Sequence, residues 1–220
     1  MKQVFLKKEG TPVLTLFFAG WGMDEHPFMH LPFSSDVLMC YDYTTPDFDV
    51  QLLDGYQEIR LVAWSMGVWQ AACVWQNLGL PVTHAIAFNG TPTPVHASMG
   101  IAPEIAVPTC ERLDQRNLDK FRRRMCGSVA YAAFMQNAPV RSVEDLKTEL
   151  GAIITRSLQL PVPQCPWNMA WIGKGDLIFL PQAQHLAWQT ENVPYVDVDV
   201  AHYDAQLLQQ LLTVFSWTNN

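Results

Sequence analysis

Short apolar runs, separated by polar or glycine-containing turns, recur along most of the chain. Seven of them have the length and composition of β-strands, and they lie at residues 3–6, 13–18, 37–41, 59–64, 84–88, 168–173 and 195–200. Apolar residues at helical spacing follow the run at 59–64 and the run at 195–200, where Leu207, Leu211 and Phe215 share one face. This alternation of strands and helices predicts an α/β protein with a mostly parallel, doubly wound sheet.

The alternation breaks between residues 91 and 167. Prolines bracket this segment, at 92 and 94 on one side and at 161, 163 and 166 on the other. Between them lie helical patterns and no clear strand, and Ser142 followed by Asp145 is typical of a helix N-terminus. We therefore expect residues 1–90 and 168–220 to form the core and residues 91–167 to form a helical lid inserted into it.

Composition narrows the class of protein. The 220 residues, 49% of them hydrophobic, suffice for one domain that carries an insertion. The net charge of -7 argues against general nucleic-acid binding. Five cysteines without a C-x-x-C pair favour free thiols in a reducing compartment. The chain has no signal-peptide pattern and no apolar block long enough to span a bilayer, so we expect a cytoplasmic monomer that binds no membrane.

Ser65 stands where the apolar run at 59–64 stops and a helical pattern begins. A hydroxyl group at such a junction suggests a nucleophile. The surrounding A-x-S-x-G pattern differs in one residue, Ala63, from the G-x-S-x-G nucleophile elbow of α/β-hydrolases. The motif alone is weak, because serine and glycine two residues apart are common, and a purely structural role for Ser65 is the alternative.

Two further polar residues, Asp176 and His202, follow the last two predicted strands. The carboxyl ends of parallel strands line the ligand crevice of an open α/β sheet, and the chain order Ser, Asp, His is that of α/β-hydrolases. We therefore expect Ser65 to be the nucleophile, His202 the general base and Asp176 the acid that orients the imidazole. Asp199 and Asp204 are alternative acids, although both lie close to His202 in the sequence.

The loop AGWGMD at residues 19–24 follows the second strand and is rich in small residues, which leave backbone N–H groups accessible. A serine hydrolase needs such donors for the oxyanion of its tetrahedral intermediate. We expect the N–H of Trp21 to supply one and the N–H of Met66, directly after the nucleophile, to supply the other. A simple tight turn is the alternative interpretation of this loop.

Basic residues concentrate in the lid segment. Four of them recur at four-residue spacing and predict one basic face on a helix from about residue 111 to residue 125: Arg112, Arg116, Lys120 and Arg124. A solvated charged face, partly neutralised by nearby acids, is one interpretation. A docking patch for an acidic partner is the other, since local charge steers encounter.

A metal site is not expected from the histidines. His26 and His30 lie four residues apart, but no H-E-x-x-H pattern and no third ligand accompany them. The chemistry predicted from the sequence therefore depends on the serine, the histidine and the carboxylate alone.

Four segments in order along the chain resemble the BioG-type pimeloyl-[acyl-carrier protein] methyl ester esterases of biotin synthesis. They are FFAGWGMD at 17–24, AWSMGVW at 63–69, GKGDLIFLPQAQ at 173–184 and AHY at 201–203. The resemblance covers the core, whereas the segment 91–167 carries no aligned motif. It implies an α/β-hydrolase fold, the triad Ser65, Asp176 and His202, an oxyanion loop at Trp21, and no metal or organic cofactor.

The resemblance also implies a substrate and a partner. The reaction would be hydrolysis of the methyl ester of pimeloyl carried on acyl carrier protein, and the basic lid residues would dock that acidic carrier. A serine hydrolase of another small acyl ester or thioester is the main alternative, and a carbon–carbon lyase on the same scaffold is another. Outside the enzymes, the alternative is a hydrolase-shaped binding protein whose triad is misaligned.

Overall fold

The computed structural model describes residues 1–213, in which seven strands form a sheet of order β1-β3-β2-β4-β5-β6-β7. The strands are β1 Lys2–Lys7, β2 Val13–Phe18, β3 Asp36–Tyr41, β4 Glu58–Trp64, β5 His84–Phe88, β6 Met169–Gly175 and β7 Tyr195–Ala201. β1 runs antiparallel to β3, and the other neighbouring strands are parallel. The seven predicted strands and the mostly parallel sheet are confirmed.

Helices cover both faces of this sheet. They are α1 Met66–Leu78, α2 Pro103–Glu111, α3 Gln115–Gln136, α4 Val143–Gln159, α5 Pro181–Thr190 and α6 Ala205–Thr213, with a 3-10 helix at Val50–Leu53. Neighbouring residues of β2 belong to two different hydrophobic cores: Leu16 lies in the core that includes α1, and Phe17 lies in the core that includes α6. This layered arrangement is the α/β-hydrolase fold. The predicted apolar face of α6 extends to Phe215, which lies outside the described residues.

Local capping explains where several helices begin and end. α1 ends at Gly79, whose left-handed backbone (φ 59°) lets its N–H bond to the Trp75 carbonyl oxygen. α4 begins after Ser142, whose side chain accepts a hydrogen bond from the N–H of Asp145. Both of these helix ends were predicted from the sequence. The helix α5 was not predicted, although Pro181 at its first position is a typical helix start.

The lid segment between β5 and β6 contains α2, α3 and α4. The prediction of one helix from about residue 111 to residue 125 was wrong, because α2 ends before residue 112 and α3 begins only at Gln115. The Asp114 side chain accepts a hydrogen bond from the N–H of Asn117 and thereby starts a new helix. Arg112 therefore lies in the connection between helices, while three basic residues keep their helical spacing on α3: Arg116, Lys120 and Arg124.

Asp36 anchors the turn between β1 and β2. Its carboxylate accepts hydrogen bonds from the N–H groups of Glu9 (2.8 Å) and Gly10 (3.0 Å) and from the Tyr56 hydroxyl group (2.8 Å). Burial by itself would raise the pKa of this carboxyl group, but these hydrogen bonds outweigh burial and hold the pKa below its ordinary value.

Across residues 1–213, no helix combines the length and the hydropathy needed to cross a membrane.

Candidate active site

Ser65 lies between β4 and α1 in a backbone conformation (φ 60°, ψ -129°) that side-chain-bearing residues rarely adopt. Such strain costs about 1–3 kcal/mol and persists only where the surroundings enforce it. Close packing does so here. A Cβ atom on Gly67 would lie 2.3 Å from the Phe18 carbonyl oxygen, and one on Gly90 would lie 2.3 Å from the Ser65 carbonyl oxygen. The sharp turn at Ser65 therefore requires glycine at both positions.

The Ser65 hydroxyl group points to an imidazole and not to the helix that follows it. Serine is a favoured N-cap residue, which would be the structural explanation for Ser65. However, its side chain makes no capping hydrogen bond to α1. Its Oγ lies 2.9 Å from Nε2 of His202, a residue 137 positions away along the chain.

The His202 imidazole is buried and held from several directions. Its Nδ1 lies 2.8 Å from Oδ2 of Asp176. With the proton on Nδ1 donated to that carboxylate, Nε2 is the nitrogen that accepts the proton of Ser65. The ring stacks on Phe179 with centroids 6.0 Å apart, and the Trp64 ring lies at 5.5 Å. This packing keeps the imidazole in the orientation that both hydrogen bonds need.

The Asp176 carboxylate is fully engaged in hydrogen bonds. Its Oδ1 accepts from the N–H groups of Ile178 (2.7 Å) and Phe179 (3.0 Å), and its Oδ2 accepts from Nε2 of Gln184 (3.0 Å) as well as from His202. These donors offset the cost of burying a carboxylate. Gln184 was not singled out from the sequence, because the helix that carries it was missed.

The two alternative acids lie elsewhere. Asp204 accepts a hydrogen bond from the N–H of Leu207 and so caps the start of α6. Asp199 is exposed on β7. Of the three acids, Asp176 is the one that the structure brings to the imidazole of His202.

Asn89, another residue that the sequence analysis missed, holds the loop that carries His202. Its Nδ2 donates to the carbonyl oxygens of Ala201 (2.9 Å) and His202 (3.0 Å), and its Oδ1 accepts from the N–H of Gly173 (2.7 Å). The Trp64 indole N–H donates to the same His202 carbonyl oxygen at 2.9 Å. A polar residue directly after a strand is the signal that singled out Ser65 as a candidate nucleophile, and it could have singled out Asn89 as well.

The loop at residues 19–24 lies beside Ser65. A Cβ atom on Gly20 would be 3.1 Å from the Cβ of Ser65. Among the described residues, no acceptor is hydrogen-bonded to the backbone N–H of Trp21 or of Met66. Both N–H groups therefore lack a backbone acceptor in the described part of the chain.

A cavity of about 710 Å³ includes Ser65 in its wall. Apart from Ser65 itself, its buried lining is apolar and consists of Trp21, Met66, Ala106, Leu113 and Leu150. Three exposed basic residues also line it, namely Arg112, Lys120 and Arg124, whereas Arg116 does not. The cavity therefore joins an apolar interior at the serine to a basic exposed part at the lid.

The four basic residues singled out from the sequence make no ion pair within residues 1–213. Two of the nearby acids have other partners, since Asp114 caps α3 and Asp119 accepts a hydrogen bond from Gln115. Arg122 differs from its exposed neighbours. It is only 6% exposed and donates to the Pro139 carbonyl oxygen (3.2 Å), and burial lowers the pKa of its guanidinium group.

One group of possible metal ligands occurs among the described residues, where Asp24, Glu25 and His26 bring ligand atoms within 4.8 Å of one another. Only His26 of this group was considered as a metal ligand from the sequence. Asp24 is bonded to His26 and to the N–H of Val140, and Glu25 accepts from the Tyr41 hydroxyl group. These hydrogen bonds account for the cluster, and we assign no site to it.

Comparison with known sequences identifies relatives of the whole chain. A family model described as pimeloyl-ACP methyl esterase BioG matches residues 1–213. A Haemophilus influenzae protein, described only as uncharacterized, is 37% identical over 215 residues, which cover 93% of this chain and 98% of that protein. A malonyl-[acyl-carrier protein] O-methyltransferase of Bacteroides fragilis is 50% identical over 199 residues, which cover 90% of this chain but 41% of that longer protein.

Solved structures extend the comparison to the fold. The crystal structure of BioG from Haemophilus influenzae matches with a TM-score of 0.85 and 36% identity, covering 94% of this chain and 96% of that one. An esterase from Thermogutta terrifontis matches with a TM-score of 0.64 and 17% identity over 96% of this chain and 88% of its own. An enol-lactonase from Burkholderia xenovorans matches with a TM-score of 0.66 and 14% identity, covering 91% of this chain and 88% of that one. At such low identity the last two show the fold alone.

Proposed function

The chain belongs to the pimeloyl-ACP methyl esterase family BioG, and we propose that it hydrolyses the methyl ester of pimeloyl-[acyl-carrier protein] as a step in biotin synthesis. The observation that carries the proposal is the continuous hydrogen-bonded series from Ser65 Oγ through His202 to Asp176 at an apolar cavity. These distances do not support the alternative of a binding protein with a misaligned triad. An ester buried in this cavity meets both a nucleophile and its base.

In the proposed mechanism, His202 Nε2 takes the Ser65 proton while Oγ attacks the ester carbonyl carbon. The carbonyl oxygen becomes an oxyanion that accepts hydrogen bonds from the N–H groups of Trp21 and Met66. Asp176 stabilises the imidazolium ion that has formed. Collapse of the intermediate breaks the bond to the methoxy oxygen, which leaves as methanol with the proton from Nε2.

The second half of the reaction regenerates the enzyme. Water gives a proton to His202 and attacks the acyl-enzyme carbonyl carbon through the same oxyanion site. Ser65 then leaves with that proton, and the free carboxylate of the pimeloyl chain is released. Charges buried among apolar side chains are costly, so the apolar end of the cavity suits the neutral ester better than the carboxylate product.

A direct assay tests this proposal. Purified protein is incubated with methyl pimeloyl-[acyl-carrier protein], and methanol release and the mass of the intact carrier are followed. We expect turnover by the wild type, loss of turnover in Ser65→Ala, and retention in Ser98→Ala, which changes another serine of the cavity wall. Absence of wild-type turnover, with retained labelling of Ser65 by a serine-directed phosphonate, would leave a hydrolase of another small acyl ester.

The basic residues of the lid support the acyl carrier protein as partner. Arg112, Lys120 and Arg124 are exposed, lack ion pairs in the described part of the chain, and line the cavity that leads to Ser65. An acidic carrier would thus be drawn to the place where its acyl group must enter. The proposed docking patch also includes Arg116, which is exposed and has helical spacing with Lys120 and Arg124 on α3.

Charge reversal separates docking from chemistry. For Lys120→Glu with Arg124→Glu we expect kcat/KM on the carrier-bound ester to fall by roughly 10-fold or more at low salt, with less effect at high salt. Hydrolysis of a small uncharged ester should change little. Arg123→Glu is the matched control, since Arg123 is exposed on the same helix, stacks over Tyr131 and does not line the cavity. An equal loss in the control, or none in the pair, contradicts docking at this patch.

The five cysteines are all free thiols. This state supports the proposal that the protein works in the reducing cytoplasm, where its acyl carrier substrate would be met.

A further inference from the structure

The loop that carries Trp21 is fastened to the lid. The Trp21 indole N–H donates to the Leu146 carbonyl oxygen of α4 at 2.8 Å, and the N–H of Gly22 donates to Oε2 of Glu149 at 3.4 Å. The Trp21 ring also packs edge-on against Phe121 of α3, with centroids 5.0 Å apart. Two lid helices therefore contact Trp21, whose backbone N–H is the proposed oxyanion donor.

The next two residues of the loop, Met23 and Asp24, are also hydrogen-bonded to the lid segment. Nη1 of Arg141 donates to the Met23 carbonyl oxygen at 3.3 Å, and the N–H of Val140 donates to Oδ2 of Asp24 at 2.8 Å. Apart from local bonds within residues 20–26, each hydrogen bond that the described structure gives to residues 21–24 goes to residues 140–149. The sheet does not hold this segment through hydrogen bonds; the lid does.

Glu149 lies at the centre of this attachment and is fully buried. Its Oε2 lies 2.6 Å from Nη1 of Arg141, and its Oε1 accepts from the N–H of Tyr43 at 2.9 Å. A carboxylate buried so completely needs all of these partners, and losing one leaves an uncompensated group. Glu149 thus links the loop of the core, through Gly22, to the lid.

We propose that Glu149 and the indole of Trp21 are positioning residues that fix the Trp21 N–H relative to Ser65. This inference rests on the proposed esterase function and deepens it: the lid segment lines the cavity and also affects the rate of the chemical step, by holding an oxyanion donor in position. An oxyanion donor stabilises the transition state only when it is held at the correct distance before the reaction. A lid that moved would therefore lower kcat even where substrate still bound.

Glu149→Gln is the first test, with Asp42→Asn as its control. Both changes remove a carboxylate that pairs with Arg141, since Oδ1 of Asp42 lies 3.1 Å from its Nη2. Only Glu149 also contacts Gly22. We expect Glu149→Gln to lower kcat by about 10-fold or more relative to Asp42→Asn, with KM within about twofold.

Trp21→Phe is the second test, with Trp167→Phe as its control. Both tryptophans are buried and lose similar volume, but the indole nitrogen of Trp167 has no hydrogen-bond partner in the described structure. Trp21→Phe keeps the aromatic contact with Phe121 and removes the donor to Leu146. We expect a lower kcat for Trp21→Phe than for Trp167→Phe, again without a matching change in KM.

The readouts distinguish positioning from simple destabilisation. Each variant is assayed on a small ester well below its melting midpoint and titrated with a trifluoromethyl ketone, which forms an oxyanion on serine. Affinity for the ketone should fall in proportion to kcat. Equal kcat in each test variant and its control, or a loss that disappears at lower temperature, would overturn the inference. If the wild type neither hydrolyses esters nor labels at Ser65, the proposed function itself has failed.

Discussion

Gly67→Ala should disable the site without removing any catalytic side chain. Gly67 is the second residue of α1, and it packs against the backbone that leads from β2 into the loop carrying Trp21. An added Cβ would lie 2.3 Å from the Phe18 carbonyl oxygen and 2.5 Å from that of Ala19. Both obstacles are backbone atoms, which cannot rotate away as a flexible side chain could. The turn at Ser65 and the loop at residues 19–24 must therefore separate.

The size of that separation sets the expected effect. Ordinary contacts of a Cβ begin near 3.4 Å, so the two backbones must move apart by about 1 Å in a close-packed interior. A displacement of ~1 Å at a catalytic centre can cost ~100-fold in rate. Overpacking of this kind also destabilises a core by about 1–3 kcal/mol, which corresponds to roughly 2–4 °C in melting midpoint per kcal/mol for a chain of this size.

The assay compares kcat and the melting midpoint with those of Gly151→Ala. Gly151 lies inside α4, where an added Cβ would meet only Cys110 Sγ at 3.7 Å. That control should keep wild-type activity and gain up to ~1 kcal/mol of stability from the better helix propensity of alanine. A Gly67→Ala protein with wild-type kcat and an unchanged midpoint would refute the argument that this close approach sets the geometry of the site.

Three further predictions concern residues that support the site or the fold. Asn89→Asp should lower kcat by about 10-fold or more. The new carboxylate oxygen would face the carbonyl oxygens of Ala201 and His202, to which Asn89 now donates, and would displace the loop that carries His202. Steady-state kinetics of the folded variant check this. Gln184→Met removes one donor from Asp176 and should lower kcat by roughly 10-fold while KM stays constant; unchanged kcat would show that this donor is dispensable. Asp36→Asn should lower the melting midpoint at pH 7. Folding depresses the pKa of Asp36, so the ionised carboxylate contributes fully to the stability of the fold above the ordinary aspartate pKa of ~3.9. This contribution is lost as the pH falls through the lower pKa of the folded state. The difference in melting midpoint between Asp36→Asn and the wild type should therefore shrink in acid.

Most of the fold could be predicted because its signals are local. A buried strand is an apolar run, so the run at 13–18 located β2 without any knowledge of its neighbours. Helix ends depend on residues within one turn, which is why Ser142 and Gly79 marked the limits of α4 and α1 correctly. The missed boundary after Glu111 was also local, but charge periodicity outweighed the capping signal of Asp114 in the prediction.

The candidate site was predictable only as a set of residues. Ser65, Asp176 and His202 each stand directly after a strand, and parallel strands bring such positions to one edge of the sheet. That reasoning could not choose firmly among Asp176, Asp199 and Asp204, because all three lie near the required edge in the sequence. The choice depends on angles and distances that neighbouring loops impose.

The sequence by itself determined the α/β architecture, the position of the candidate nucleophile and the basic residues of the lid segment. Only the tertiary structure decided that Asp176 lies against His202, that Asn89 holds the loop of His202, and that Glu149 of the lid segment bonds to the loop that carries Trp21. The physical reason is the range of the interactions. Hydrophobic period and helix caps act within a few residues, whereas these hydrogen bonds join positions from 26 to 127 residues apart and exist only after the chain has packed.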